Sequence, residues 1–281
     1  MLNKYNNQRG EALLNIMFCG DSNAREGIFL SALSVCKNTS QDINIYILTA
    51  SIDKYRAINQ DFADKIMQNR LIKRKKGVTV TIIDMTETFG AYLPLANMAT
   101  RFTPLCMLRL FADTAPQIPD KILYLDADVM CRKDFGDMYD LDISQYEIAG
   151  VPDRYGKWFF GNIFKHSYLN SGVLLMNMKK IRQSGLFQRC RELCREKKLF
   201  MPDQSALNKL AEKRKIPSKY NSQGKIKEDT VFKHFTTYFK FFPYIRAVTV
   251  KPWHTEKLHD ELKIYEFDDI LDEYKRSDSY E

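Results

Sequence analysis

Two aspartates one residue apart, Asp126 and Asp128, follow the apolar run "KILYL" (121–125). The run has the length and composition of a buried strand, and residues i and i+2 of an extended strand point to the same side. Both carboxylates can therefore face one object just beyond the strand. Two negative charges so close together need a cation, and oxygen ligands suit Mg²⁺ or Mn²⁺, which could in turn hold a diphosphate. The alternative without chemistry is a pair of exposed turn aspartates that cap the next element.

Two classes of enzyme need such a pair. In phosphatases of the haloacid dehalogenase type a strand ends in D-x-D-x-[TV], a pattern that "DADV" (126–129) satisfies, and Asp126 would attack phosphorus. In nucleotide-sugar glycosyltransferases D-x-D instead binds Mn²⁺, which grips the diphosphate leaving group. The phosphatase motif normally opens its domain, whereas three strand-like runs precede it here. The glycosyltransferase interpretation is therefore favoured, and the phosphatase is kept as an alternative.

The preceding runs alternate between strand and helix patterns. Short β-branched runs at 15–20, 43–50 and 77–84 predict strands, and the segments 24–38 and 53–76 between them predict helices. Such alternation predicts a mostly parallel sheet with helices on both faces and a ligand crevice at the carboxyl ends of the strands. Asp21, which follows the first run, would lie in that crevice with the aspartate pair.

The later part of the chain continues this pattern. The segment 103–116 predicts a helix, and the runs at 147–153 and 171–178 predict two more strands. A basic helix is expected to follow to about residue 198, and the chain closes with a terminal helix and a frayed acidic end.

Composition favours one large α/β domain, since 44% of the 281 residues are hydrophobic. No run approaches the roughly 18 apolar residues of a membrane span, and the polar start lacks the layout of a signal peptide, so we expect a cytoplasmic protein. The six cysteines form no C-x-x-C pair and are expected to be free thiols. The net charge is +8, and its basic stretch at 182–240 could contact an anionic membrane peripherally. No nucleic-acid-binding module is present.

With these motifs in this order, the chain resembles the retaining glycosyltransferases of family 8, which include bacterial lipopolysaccharide galactosyl- and glucosyltransferases and, more distantly, glycogenin. The resemblance runs from about residue 15 to about residue 256. Its pieces are "MFCGDSN" (17–23), "MLRLFAD" (107–113), "LYLDADV" (123–129), "YLNSGVLLMNM" (168–178), "PDQSALN" (202–208), "KHF" (233–235) and "KPWH" (251–254).

The resemblance implies a single Rossmann-like nucleotide-sugar-binding domain of the type-A glycosyltransferase fold, with a catalytic domain at 1–255 and a helical tail at 256–281. It also implies an enzyme of lipopolysaccharide or capsule biosynthesis. The expected reaction moves glucose or galactose from UDP-glucose or UDP-galactose to a hydroxyl of a cell-surface glycan or glycolipid, with retention of the anomeric configuration. Mn²⁺, or Mg²⁺ in its place, would assist.

By the same resemblance, Asp126, Asp128 and His234 would ligate the metal. Asp21 would receive the uracil ring, and Arg109 would reach the donor phosphate or sugar. Lys251 would counter the charge of the departing diphosphate, and Trp253 would pack beneath it. The residues implied for the metal and the donor are Asp21, Arg109, Asp126, Asp128, His234, Lys251 and Trp253.

Four further residues would line the sugar pocket: Asp153, Asn170, Asp203 and Gln204. By the resemblance, Gln204 matches the position beneath the anomeric carbon, where retention would ordinarily require a carboxylate nucleophile. Because an amide is a poor nucleophile, front-side attack is favoured, in which the leaving phosphate oxygen helps to deprotonate the acceptor. Asp153 or Asp203 is the alternative nucleophile.

The chain departs from the family pattern at 235–250, where an aromatic insertion replaces a short Gly-containing loop. Its aromatic side chains could line an acceptor site or fill the core; they are Tyr238, Phe239, Phe241, Phe242 and Tyr244. A non-catalytic subunit that binds sugar nucleotide is the alternative from another functional class.

Overall fold

The computed structural model of the chain describes residues 13–99, 103–154, 168–240 and 246–278. The strands are β1 (Leu13–Cys19), β2 (Asp42–Thr49), β3 (Val78–Asp84), β4 (Lys121–Leu125), β5 (Val129–Cys131), β6 (Ile148–Pro152), β7 (Leu169–Asn177), β8 (Lys213–Lys215), β9 (Phe232–His234), β10 (Tyr238–Lys240) and β11 (Arg246–Val248). The α-helices are α1 (Arg25–Lys37), α2 (Gln60–Gln68), α3 (Arg70–Lys75), α4 (Thr86–Ala91), α5 (Gly136–Tyr139), α6 (Met178–Ser184), α7 (Leu186–Glu196), α8 (Pro202–Leu210), α9 (Thr255–Leu262) and α10 (Asp268–Asp278).

A mixed sheet organises the described residues, with its strands in the order β3-β2-β1-β4-β7-β6-β8. Strand β7 runs antiparallel to its neighbours β4 and β6, and the other neighbouring pairs are parallel. The prediction of a mostly parallel sheet is therefore confirmed. The carboxyl ends of β1, β4 and β6 lie at one edge of the sheet, together with the start of β7.

Apolar side chains cover both faces of this sheet. Along β4, Leu123 and Leu125 belong to the core beneath α1, whereas Ile122 and Tyr124 belong to the core beneath α6 to α8. This alternation follows from the two-residue period of a strand, and it explains why the central strands are apolar along their whole length. The predicted arrangement of helices on both faces is confirmed.

Several predicted helices differ from the observed ones in type or in length. The segment 103–116 forms a 3₁₀-helix at Pro104–Thr114, and the segment 53–76 becomes helical only from Gln60. The basic helix before residue 198 is divided at Gly185, which has φ +65° and ends α6 in the left-handed conformation.

The C-terminal helices pack onto the sheet domain. Ile270 and Leu271 are buried in the core beneath α1, and the Tyr274 ring lies edge-on to Phe29, with 5.3 Å between the ring centroids. The predicted helical tail thus exists and contributes apolar side chains to the common core, because α10 presents one apolar face to α1. The boundary at residue 255 stays a prediction.

Two short ladders lie outside the central sheet. Strand β5 pairs with β9 in antiparallel register, so that Val129 lies opposite His234. Strands β10 and β11, within the aromatic insertion, pair in antiparallel register. Of the aromatic residues expected to act there, Phe241, Phe242 and Tyr244 lie outside the described residues. In the part of the chain that the structure describes, no helix combines the length and the apolar character needed to cross a membrane.

Candidate active site

Asp126, Asp128 and His234 converge at the carboxyl end of β4. One possible ligand atom from each residue lies within 4.8 Å of those from the other two. The His234 Nε2 atom is 3.2 Å from Asp128 Oδ1 and 3.7 Å from Asp126 Oδ2. These three side chains form the carboxylate–imidazole cluster discussed below, and their oxygen and nitrogen atoms are ligands that Mn²⁺ accepts.

The two aspartates converge for a reason other than the one expected from sequence. They do not lie in an extended strand but in a turn between β4 and β5, in which the Val129 amide donates to the Asp126 carbonyl at 3.1 Å. The Asp126 amide donates to the Gly172 carbonyl at 2.8 Å, and the Phe235 amide donates to the Asp128 carbonyl at 3.0 Å. The turn is thus tied to β7 on one side and to β9 on the other.

Hydrogen bonds to Asn170 and Asn221 define the tautomer of His234. The Gly172 amide donates to Asn170 Oδ1 at 3.0 Å, which fixes that atom as the oxygen. His234 Nδ1 lies 3.1 Å from Asn170 Oδ1 and 3.1 Å from Asn221 Oδ1, so Nδ1 carries the proton. Nε2 is then the ring nitrogen that faces the two carboxylates, and once it is unprotonated its lone pair is available to a cation held between them. This is the arrangement that a histidine metal ligand requires.

Gly172 makes room for the imidazole. A Cβ atom at this position would lie 2.1 Å from His234 Cε1 and 2.8 Å from Asp126 Oδ2. Both distances are below any real carbon contact, so a side chain would displace either His234 or Asp126. The "NSG" sequence at 170–172 thus supplies the amide that orients His234 and the space that accommodates it.

Two donors hold the inner oxygen of Asp126. The Tyr124 hydroxyl donates to Asp126 Oδ1 at 2.6 Å, and Arg109 Nη2 donates to the same atom at 2.9 Å. Tyr124 is buried, and the guanidinium of Arg109 lies 4.1 Å from the centroid of its ring. Since Oδ1 is engaged twice, Oδ2 is the oxygen that Asp126 directs toward His234 and that would be available to a cation.

Arg109 is saturated by contacts within the protein. It is 4% exposed, its Nη1 donates to the Ser171 carbonyl at 2.7 Å, and its Nε lies 3.1 Å from Asp203 Oδ2. In this structure it connects the metal-ligand candidate Asp126 to Asp203 across the sheet edge. Its expected contact with a donor phosphate or sugar stays a prediction.

Lys251 neutralises the second carboxylate. Its ammonium forms an ion pair with Asp128 Oδ2 and lies 3.4 Å from the Phe235 carbonyl. Burial raises the pKa of the Asp128 carboxyl, but the nearby His234 and Lys251 outweigh burial and hold that pKa well below its usual range. Trp253 packs against α1, where a Cβ atom on Gly27 would come within 2.6 Å of the indole.

The residues expected around the sugar form one hydrogen-bonded chain. Gln204 Oε1 accepts from the Ser171 amide at 2.9 Å, which directs its Nε2 toward Asp153 Oδ2 at 3.3 Å. Asn170 Nδ2 donates to the same Asp153 oxygen at 2.9 Å. Asp153, Asn170 and Gln204 are therefore brought together beside His234, and their roles toward a sugar stay predictions.

The two remaining residues of the predicted site, Asp203 and Asp21, are both buried. Asp203, in the first turn of α8, is buried, and burial raises its pKa while the neighbouring Arg109 opposes the rise. Asp21 is also buried, and Asn23 donates to its Oδ2 atom at 2.6 Å. Its expected contact with a uracil ring stays a prediction.

Sequence reasoning missed Tyr124, Asn221 and Lys233. Asn221 follows a Pro-Ser-Lys-Tyr stretch that carries no local signal, and Tyr124 reads as an ordinary strand residue. Lys233 is 5% exposed and donates to the Gly224 carbonyl at 2.6 Å. A Lys-His pair would ordinarily be exposed, but both side chains are buried here because β9 pairs with β5.

A comparison with protein families assigns this chain. A sequence model described as "Glycosyl transferase family 8" matches residues 15–257, from β1 into α9. The chain belongs to glycosyl transferase family 8.

Individual relatives agree with this assignment. Lipopolysaccharide 1,2-glucosyltransferase of Escherichia coli is 24% identical over 261 residues, which are 85% of this chain and 73% of that enzyme. A Streptococcus gordonii protein named "Probable glycosyl transferase Gly" is 26% identical over 205 residues, but the chain spans only 28% of its length. The galactosyltransferase LgtC, in complex with donor and acceptor sugar analogues, shares 20% identity and has a TM-score of 0.67; the match covers 94% of this chain and 96% of LgtC. This likeness confirms the fold.

We expect Tyr124→Phe to weaken Mn²⁺ binding about 10- to 100-fold, because the ring stays in place while the hydroxyl that holds Asp126 Oδ1 is lost. Electron paramagnetic resonance of the free ion measures the affinity. Tyr139→Phe is the matched control, since it removes another buried hydroxyl, which contacts the Lys121 carbonyl at the opposite end of β4. Native affinity in Tyr124→Phe, or an equal loss in both variants, would contradict this role.

The buried ammonium of Lys233 makes stability depend on pH. Burial, with a smaller effect of Arg154, lowers the pKa of Lys233 from 10.5 to about 8. Between these values the unfolded chain binds the proton and the folded chain does not, so stability rises with pH. We expect the stability of the native protein relative to Lys233→Met to rise by roughly 1–2 kcal/mol from about pH 7.5 to about pH 9.5. Urea unfolding of both proteins measures this difference in stability. A difference that does not change with pH would contradict the expected titration of Lys233.

Proposed function

We propose that this protein is a Mn²⁺-dependent hexosyltransferase that moves glucose or galactose from a UDP-sugar to an acceptor hydroxyl with retention of the anomeric configuration. The observation that carries the proposal is the carboxylate–imidazole cluster, in which His234 Nε2 faces Asp126 and Asp128 while Nδ1 is held by two asparagines. Family 8 membership supports glycosyl transfer as the class of reaction.

Asp126, Asp128 and His234 would hold the ion, which supplies Lewis-acid stabilisation of the diphosphate leaving group. Lys251, already paired with Asp128, would add a positive charge on the same side. Tyr124 and Arg109 keep Asp126 in one orientation, so the site is organised before the donor arrives. Asp21, at the end of β1, would bind the uracil.

The hydrogen bonds of Gln204 support front-side attack over a covalent intermediate. Its carbonyl oxygen accepts from Ser171, and its amide faces Asp153, so it can orient a sugar hydroxyl but offers no nucleophilic oxygen. Asp203 is engaged by Arg109, which makes it a poor nucleophile. Asp153 shares one oxygen between two amides, and the acceptor would approach on its side.

The relatives favour a surface-glycan acceptor. The Escherichia coli relative is named a lipopolysaccharide glucosyltransferase and LgtC a galactosyltransferase, so glucose and galactose are the two donor sugars to test. We propose a glycan or glycolipid of the lipopolysaccharide or capsule type as acceptor. The expected cytoplasmic location and contact with an anionic membrane stay predictions.

Two alternatives are less well supported. Family 8 membership argues against the haloacid dehalogenase type of phosphatase, and Asp126 Oδ1 is held by two donors rather than free to attack. The relatives named as glucosyl- and galactosyltransferases favour an enzyme over a non-catalytic subunit. A measurement of sugar-nucleotide turnover distinguishes the proposed hexosyltransferase from the phosphatase and from the non-catalytic subunit.

The test is UDP release from a panel of UDP-hexoses with Mn²⁺. We expect slow release that requires the metal and falls about 100-fold or more in Asp128→Asn and His234→Ala, because each removes a ligand of the Lewis acid. His259→Ala is the control, since that imidazole pairs with Asp268 in the C-terminal helices.

The same assay distinguishes the alternatives. UDP-sugar binding without UDP release on any acceptor would favour the non-catalytic subunit. Hydrolysis of simple phosphate esters, lost in Asp126→Asn, would favour the phosphatase. Release that is unchanged in both ligand variants would contradict the proposed metal site.

A further inference from the structure

We propose that a basic pocket beside the active site binds a phosphate group carried by the acceptor. The inference rests on the proposed function and extends it to the class of acceptor. The pocket lies between the end of β6 and the loop 218–230, and its volume is about 310 Å³. Its lining includes no residue of the carboxylate–imidazole cluster and none of the residues expected to line the sugar pocket.

The charge of the pocket favours an anion. Its lining includes four cationic side chains, whereas Asp229 is the one carboxylate among the described lining residues; the cations are Arg154, Lys219, Lys225 and Lys227. Lys225 and Lys227 are exposed, and no ion pair within 4.0 Å involves either of them in the described part of the chain. Several cations around one cavity suit a phosphate, which carries close to two negative charges and several acceptor oxygens.

The loop that carries these lysines is held by its own hydrogen bonds. The Lys227 amide donates to Thr230 Oγ1 at 2.9 Å, and the Ser222 hydroxyl donates to the Lys225 carbonyl at 3.1 Å. From beneath, the buried Lys233 ammonium donates to the Gly224 carbonyl at 2.6 Å. A fixed backbone lowers the entropy that the lysines would lose on binding an anion.

Gln223 joins the two walls of the pocket. Its Oε1 accepts from the Arg154 amide at 2.8 Å, and its Nε2 donates to the Pro152 carbonyl at 3.2 Å. Arg154, on the β6 side, is therefore held at a defined distance from the lysines on the loop side. The cavity between them is a built feature of the fold.

The pocket is one side chain away from the active site. Asn221 lines it and also accepts from His234 Nδ1. Arg154 directly follows Asp153, which contacts both Asn170 and Gln204. An acceptor whose hydroxyl lies near Asp153 would thus extend naturally into the pocket.

The imidazole of His234 separates this pocket from the expected site of the donor diphosphate. Nε2 faces Asp126, Asp128 and the side of Lys251, whereas Nδ1 faces Asn170 and Asn221 and, behind them, the pocket. A phosphate in the pocket is therefore not the diphosphate of the donor. Because the proposed reaction has two substrates, a phosphate bound in the pocket would belong to the acceptor.

Binding of inorganic phosphate, followed by ³¹P NMR line broadening with Mg²⁺ and measured first without and then with UDP, tests the pocket without turnover. We expect the double variant Lys225→Gln/Lys227→Gln to weaken binding about tenfold, since two charge-assisted contacts are lost. The control Lys197→Gln/Lys198→Gln removes two exposed lysines after α7 and should change the affinity less than about twofold. Equal weakening in both double variants, or loss of phosphate binding when UDP is added to the native protein, would overturn the proposal.

Transfer assays identify the source of the phosphate. The proposal expects the pocket double variant to release UDP from the donor at the native rate and to transfer about tenfold less hexose to hexose 6-phosphates, relative to the parent hexoses. An unchanged ratio would overturn the acceptor assignment. Phosphate binding without any sugar transfer by the native protein would refute the proposed function while leaving the anion site intact, so the two failures are distinguishable.

Discussion

Repulsion between two neighbouring carboxylates is the constraint on which the site depends. Asp126 and Asp128 carry like charges into a partly buried corner, where each loses hydration and opposes the other. The protein places Arg109 against the first and Lys251 against the second, with the imidazole of His234 between them. Each partner leaves one carboxylate oxygen directed toward the shared space. The neighbouring positive charges thus offset the repulsion between the two carboxylates in the folded protein, and the free oxygens can still attract a divalent cation.

The backbone that achieves this comes from distant parts of the chain. The antiparallel strand β7 brings Gly172 against the turn after β4, and β9 pairs with β5 so that His234 reaches the carboxylates. A slip of one residue in the β5–β9 register would turn the imidazole to the opposite face. His234 of the carboxylate–imidazole cluster, Asn221, which orients it, and the lysines of the proposed phosphate pocket therefore all lie in one segment, 218–234.

The sequence predicts those parts of the structure that have local causes. Alternating strand and helix patterns predict the α/β sheet, and the apolar run "KILYL" marks the aspartate pair that follows it, although the turn that holds the pair was not predicted. Parallel and antiparallel strands cannot be told apart in a fully buried sheet, because both read as continuous apolar runs, so the direction of β7 was not predictable. Tyr124, Asn221 and Lys233 acquire their roles only through pairing with residues far along the chain. The metal and sugar residues were named from the family resemblance, and their convergence is a property of the fold.

Pulsed electron paramagnetic resonance of bound Mn²⁺ tests the central claim most directly, because it detects a nitrogen ligand by its hyperfine coupling. The structure gives His234 Nε2 as the one nitrogen in the carboxylate–imidazole cluster, so a single imidazole coupling is expected in the native protein. It should disappear in His234→Gln, with Mn²⁺ supplied at a concentration that keeps the carboxylates occupied. Bound Mn²⁺ without nitrogen coupling in the native protein, or coupling that persists in His234→Gln, would contradict the account.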